Sequence, residues 1–126
     1  MIIADTDVLI DFLANHEPAA DRVAAELNTG SMATTVVTRF ELLVGARDGK
    51  KGQSIRKLLD AIIALPLDSL AADRAAEVRR TLERAGQGIG MADSLIAGIA
   101  LVHGASLLTR NRRHFERVNG LRLVEL

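Results

Sequence analysis

Four polar residues stand where the chain changes from one kind of local pattern to another: Asp5, Glu41, Asp93 and Asn111. Three are acids in apolar surroundings. Asp5 closes the run Met1-Ile2-Ile3-Ala4, Glu41 sits within Thr38-Arg39-Phe40-Glu41-Leu42-Leu43, and Asp93 opens the nearly uncharged stretch ending at Ala100. Burying a carboxylate costs several kcal/mol or more unless it is paired or binds a metal. Gathered together, carboxylates raise one another's pKa and require a compensating cation. Donors that are all oxygen, in a chain without Cys, favour Mg²⁺ or Mn²⁺ over zinc. A site of this kind acidifies a water, aligns it with a phosphodiester and neutralises the leaving oxygen, so no side-chain nucleophile is needed.

Each acid also has a plain structural reading. Thr38-x-x-Glu41 has the form of a capping box, Asp93 lies in the first turn of a helix, and Asp5 can cap a helix starting at Thr6. Thr6, Ser94 and Thr109 neighbour three of the four positions and could hold metal-bound waters or the scissile phosphate, or simply cap helices. Asp7 and Asp11 read as solvated acids on the first helix. Around Asn111 the basic groups Arg110, Arg112, Arg113, His114 and Arg117 crowd together, and Arg39 precedes Glu41 by two residues. Basic groups in a turn are often just a solvated face, but Arg39, Arg110 and Arg112 lie beside the acidic positions, where they could grip phosphates. His16 and His103 read as incidental.

The elements that must position these groups follow from periodicity. Ile2-Ile3-Ala4 predicts a buried strand, and Val8, Leu9, Phe12 and Leu13 a helix ending near His16. Ala20 to Leu27 is a second helix stopped at Asn28-Thr29-Gly30, and Met32 to Val37 a second strand. Thr38 then caps a helix to Arg47, with another helix over Ile55 to Ile63 and a short strand over Ala64 to Leu67. Leu70 to Ala85 and the nearly all-apolar Met91 to His103 are helices joined by Gly86 to Gly90. Ala105 to Leu108 is a strand, Asn111 to Arg117 a helical turn, and Leu121 to Leu126 the last strand. Strands alternating with helices predict a single α/β domain over residues 1–126, a sandwich around a mostly parallel sheet. In such folds ligands gather beyond the carboxyl ends of the strands, where Asp5, Thr38 to Glu41 and Thr109 to Asn111 fall.

Composition sets outer bounds. A chain of 126 residues with 48% hydrophobic and 25% charged content is long enough for one core and too apolar for disorder. There is no Trp or Tyr, which excludes an extended aromatic platform for single strands. Sixteen basic and sixteen acidic residues cancel, so a nucleic acid would have to be held by a local basic patch. No leader or membrane span is expected, and the absence of Cys suits a cytoplasmic protein.

Four segments in order carry a family resemblance: Ile3-Ala4-Asp5-Thr6-Asp7-Val8-Leu9-Ile10, Thr38-x-x-Glu41-Leu42-Leu43-x-Gly45, Ala92-Asp93-Ser94-Leu95-Ile96-Ala97, and Leu108-Thr109-Arg110-Asn111-x-x-His114-Phe115. Together they resemble a PIN-domain ribonuclease, in particular the VapC-type toxins of toxin–antitoxin pairs. The resemblance implies a three-layer α/β/α sandwich and an Mg²⁺- or Mn²⁺-dependent endoribonuclease, with Asp5, Glu41 and Asp93 matching the family's metal-binding acids. It further implies a structured RNA substrate such as tRNA or rRNA, a homodimer, and a VapB-type antitoxin whose tail blocks the site. The departure is Asn111, where many PIN domains carry a fourth acid. A neutral amide there implies weaker hold on a second metal ion.

Two other classes compete. Asp5-Thr6-Asp7 after a first strand fits the Asp-x-Asp of haloacid-dehalogenase-like phosphatases, but no Lys follows Lys57 to grip a phosphate; a phosphoryl-receiver domain fails on the same ground. A non-catalytic interaction module, its acids mere helix caps, would gain no stability from Mn²⁺.

Overall fold

The computed structural model describes residues 1–126. Five short strands form one sheet in the order β3-β2-β1-β4-β5. They are β1 (Ile2–Ala4), β2 (Met32–Thr35), β3 (Ile63–Leu65), β4 (Ser106–Leu108) and β5 (Arg122–Leu123). Every pairing is parallel; β1 lies in the centre, with Ile2 opposite both Met32 and Ser106. Parallel neighbours need crossovers, and helices supply them: α1 (Thr6–Leu13), α2 (Ala19–Thr29), α3 (Val36–Val44), α4 (Lys50–Ala61), α5 (Ser69–Arg84), α6 (Met91–Val102) and the single turn α7 (Arg112–Phe115).

The strand period of two divides the core. Ile3, Ala33 and Leu107 pack with α5 and α6 residues such as Val78, Leu82, Ile96 and Ile99, and with Phe115. Ala4, Met32 and Leu108, one residue out of step, face the other way onto Val8, Leu9, Val23, Leu42, Ile55 and Leu59. Helices therefore cover both faces, and the result is the expected α/β sandwich. No helix is long and apolar enough to cross a membrane.

Helix α6 fits most closely against its neighbour α5. Gly98 faces α5 so tightly that a Cβ there would lie 2.6 Å from the Ala71 carbonyl oxygen and 2.7 Å from Ala75 Cβ. This contact sets the depth of α6, whose first turn carries Asp93.

Some boundaries differ from the sequence reading. Strand β2 stops at Thr35, whose side chain accepts the Thr38 N–H, so Thr35 is the N-cap of α3. Thr38 lies inside the helix, fully buried, and no capping box with Glu41 forms. The reason is local: the Met32-Ala-Thr-Thr strand is covered on both faces, and an earlier Thr serves the cap equally well. Helix α4 begins at Lys50, several residues before its first apolar position, and the last strand is only two residues long.

Candidate functional site

At the carboxyl edge of the sheet the chain builds a linked set of oxygen-bearing groups. Asp5 follows β1 and caps α1, accepting the Thr6 N–H on Oδ1 at 2.8 Å. It is only 6% exposed. Its other oxygen accepts the hydroxyl of Thr109, which follows β4, at 2.7 Å. Burial pushes the Asp5 carboxyl up to about 6 from its ordinary 3.8, the Thr109 hydrogen bond pulls back, and the nearby charges of Asp7 and Asp93 push further. The cap expected at Asp5 is thus real, and the carboxylate is nonetheless strongly desolvated.

Glu41, exposed on α3, joins from β2's side of the sheet. The Thr6 hydroxyl donates to Glu41 Oε1 at 2.6 Å and lies 2.9 Å from the buried Thr38 hydroxyl. On the opposite side, Asn111 N–H donates to Thr109 Oγ1 at 2.9 Å, and Asn111 Nδ2 donates to Asp93 Oδ2 at 3.2 Å. One hydrogen-bonded path therefore runs from Glu41 through Thr6, Asp5, Thr109 and Asn111 to Asp93. His114 sits at its end, with Nδ1 3.3 Å from Asp93 Oδ2.

Asp7 is not the solvated acid the sequence suggested. Its Oδ2 accepts the Arg110 N–H at 3.1 Å, and its Oδ1 is buried with no partner. Burial is the first cause of its raised pKa. Asp11 is likewise covered, its side chain 14% exposed and 2.8 Å from Arg110 Nε. The loop after β4 folds across this end of α1 and shields both. Their spacing of four residues, which places them on one helix face, was the signal available.

The predicted phosphate-gripping groups divide. Arg110 is held by Asp11, and Arg112 donates to the Val124 carbonyl at 3.0 Å with Glu125 nearby, so both guanidinium groups have partners in the chain. Arg39, half-buried on α3, has neither an ion pair nor a hydrogen bond. Ser94 is buried and its hydroxyl donates to the Gly90 carbonyl at 2.9 Å, which places it in its own helix turn, not on the path.

No three His, Cys, Asp or Glu side chains approach closely enough to surround an ion alone. The donor chemistry still fits a hard divalent cation. Every donor is oxygen, Asp5 is desolvated, a second buried carboxylate oxygen on Asp7 lacks any donor, and Mg²⁺ typically takes one or two carboxylates and keeps several waters.

Residues 2–121 match the PIN domain, nearly the whole chain. The chain belongs to the PIN-domain family. The tRNA(fMet)-specific endonuclease VapC of Shigella flexneri is 34% identical over 122 residues, covering 94% of this chain and 92% of the relative. Ribonuclease VapC10 of Mycobacterium tuberculosis is also 34% identical, over 91% of this chain and 86% of its own. Among solved structures, DNA-bound VapBC from Salmonella typhimurium superposes with a TM-score of 0.82 at 30% identity, covering 98% of this chain and 96% of that one. VapBC-1 from nontypeable Haemophilus influenzae gives 0.80 at 28% identity, over 99% and 98%.

Within this PIN fold Thr109 is the joint between two of the elements that carry acids. Thr109→Val keeps the shape, but it leaves Asp5 Oδ2 without its hydroxyl and the Asn111 N–H without its acceptor. The expected cost is about 1–3 kcal/mol, read as a lower urea midpoint at neutral pH with unchanged slope.

Proposed function

We infer that this protein is a VapC-type toxin, an endoribonuclease that hydrolyses RNA phosphodiester bonds with a water activated on Mg²⁺, for which Mn²⁺ can substitute. The observation that carries this reading is Asp5: a buried carboxylate at the end of the central strand, tied through Thr6 to Glu41 and through Thr109 and Asn111 to Asp93. Such a group is costly alone and natural beside a cation.

Asp5, Glu41 and Asp93 hold the metal, with Asn111 completing the site. A bound Mg²⁺ supplies Lewis-acid stabilisation of the scissile phosphate and acidifies the attacking water. The residues of the chain provide orientation. Thr6 holds the otherwise mobile Glu41 carboxylate by its hydroxyl, and Thr109 fixes Asp5 against the loop after β4. Arg39 is the basic group left available to meet the RNA backbone. Arg110 and Arg112 reach phosphates only by giving up Asp11 and the Val124 carbonyl.

The substrate is structured RNA, tRNA or rRNA, in line with the printed specificity of the Shigella relative for tRNA(fMet). The partners are a VapB-type antitoxin and a second copy of the chain, and the compartment is the cytoplasm. Likeness to VapBC complexes supports the first of these.

The test expresses wild type and Asp93→Asn without antitoxin and follows growth, RNA integrity and melting of the purified proteins with Mn²⁺. Wild type is expected to arrest growth, cut RNA and melt higher with Mn²⁺, because a ligand of the native state must raise stability. Asp93→Asn is expected to do none of these. Folded wild type that leaves RNA intact and is indifferent to Mn²⁺ overturns the reading.

A further inference from the structure

Three groups at the start of α7 form a triangle. Asn111 Nδ2 lies 3.2 Å from Asp93 Oδ2 and 2.9 Å from His114 Nδ1, and the third side, from His114 Nδ1 to Asp93 Oδ2, is 3.3 Å. Side-chain chemistry fixes the roles. An amide nitrogen carries two hydrogens and accepts nothing, whereas the amide oxygen only accepts. Turning the amide over would set its oxygen against a carboxylate oxygen, so it is the nitrogen that faces Asp93.

The same nitrogen at 2.9 Å requires a lone pair on His114 Nδ1. With a hydrogen on Nδ1, two donors would face each other across the shortest side of the triangle. The neutral ring therefore carries its hydrogen on Nε2. Both amide hydrogens are used, one on Asp93 and one on His114. The Asn111 Oδ1, which accepts no hydrogen bond from the chain, is left with its lone pairs free.

A second observation points the same way. Asn111 occupies the N-cap of α7, a position where Asn normally turns its side chain back to the helix, yet it makes no side-chain cap bond. The cap interaction, typically worth about 1 kcal/mol, is given up for the contacts with Asp93 and His114. The backbone of Asn111 is also fixed, through Thr109 to Asp5, and fully buried Phe115 anchors the turn from beneath.

We infer that His114 is a positioning residue: by accepting from Asn111 Nδ2 it locks the amide so that Oδ1 serves as a neutral oxygen donor to the divalent cation. This rests on the metal-dependent reading above. It assigns the chain a means of using Asn where a carboxylate would need no such orientation, since a carboxylate presents an acceptor whichever way it turns. His114 touches neither RNA nor metal in this role; it acts through Asn111.

The test compares wild type with His114→Phe, His114→Asn, Asn111→Ala and the His114→Phe/Asn111→Ala double variant. Mn²⁺ affinity is measured by calorimetry at fixed pH, and melting is measured without metal. His114→Phe is expected to weaken Mn²⁺ binding about 10–100-fold, the usual scale for groups that orient ligands. Metal-free melting should stay unchanged, because the side chain is 41% exposed. His114→Asn, which returns an acceptor close to the Nδ1 position, is expected to recover most of the affinity. The double variant should bind as Asn111→Ala alone does, since one residue acts through the other.

Wild-type affinity in His114→Phe, or losses that multiply in the double variant, would overturn the inference. So would a fall in metal-free melting that His114→Asn shares. A wild type that neither binds Mn²⁺ nor cuts RNA overturns the catalytic reading beneath it, whereas a competent wild type with an unaffected His114→Phe removes only the role of His114.

Discussion

Replacing Asp5 by Asn is expected to give a protein that resists unfolding better without metal and no longer cuts RNA. Folded Asp5 keeps its proton to about pH 6, while the unfolded chain releases it near 3.8, a difference corresponding to about 3 kcal/mol. Between those values the folded state binds more protons than the unfolded one, so stability falls as pH rises. The penalty is absent below 3.8 and complete above 6. Asn carries no charge to desolvate and keeps an oxygen for the Thr6 N–H, while its amide can donate to Thr109. At neutral pH and with chelator present, Asp5→Asn should therefore gain about 2 kcal/mol over wild type, with the difference closing as the pH is lowered towards 4. The measurement is a series of denaturant titrations of both proteins across that range. Added Mn²⁺ should reverse the order by stabilising wild type alone. Cleavage should fall by roughly a thousandfold or more, since a metal ligand supports several kcal/mol of charge stabilisation in the transition state. A variant no more stable than wild type would show that Asp5 is not strained by its burial.

The largest effect on stability is expected far from the acids, at Gly98. A side chain there meets the Ala71 carbonyl at 2.6 Å and the Ala75 backbone nitrogen at 2.8 Å, and neither is the end of a flexible group that can turn away. Gly98→Val must therefore push α6 off α5 along its whole length, a change expected to cost about 3 kcal/mol or more. For a domain of this size that lowers the melting temperature by about 10 °C or more. The displacement is expected to reach catalysis as well, because Asp93 rides on the same helix. Scanning calorimetry together with RNA cleavage below the lowered melting point separates the two effects: lost activity in the folded variant reports the movement of Asp93.

How much of this was legible beforehand depended on whether a signal was local. The order of strands and helices was, because Ile2 to Ala4, Met32 to Thr35 and Ser106 to Leu108 are short apolar or Thr-rich runs between amphipathic stretches. So was the place of Asp5 and of Thr109 to Asn111 just beyond strand ends. The cap of α3 was not, because Thr34, Thr35 and Thr38 offer the same chemistry and only the depth of the sheet chooses among them. The coverage of Asp7 and Asp11 was missed because it depends on the loop around Arg110 crossing a helix a hundred residues earlier in the chain. Pairing of Arg110 and Arg112 within the chain was hidden in the same way: a run of basic residues shows its charge but not the acids it will meet.

The position of β1 has a consequence for synthesis. This first strand is flanked by β2, made soon after it, and by β4, which begins only at Ser106. A chain still emerging from the ribosome has one edge of β1 bare until nearly all of it has been made. Domains acquire their structure as their parts become available. Thr109 and Asn111, which connect Asp5 to Asp93, arrive only after that strand. Fragments ending before β4 carry Asp5 and Glu41 but cannot assemble them with Asp93 through this network. An enzyme able to destroy the RNA that translation depends on is thereby kept inert until its own translation is almost finished.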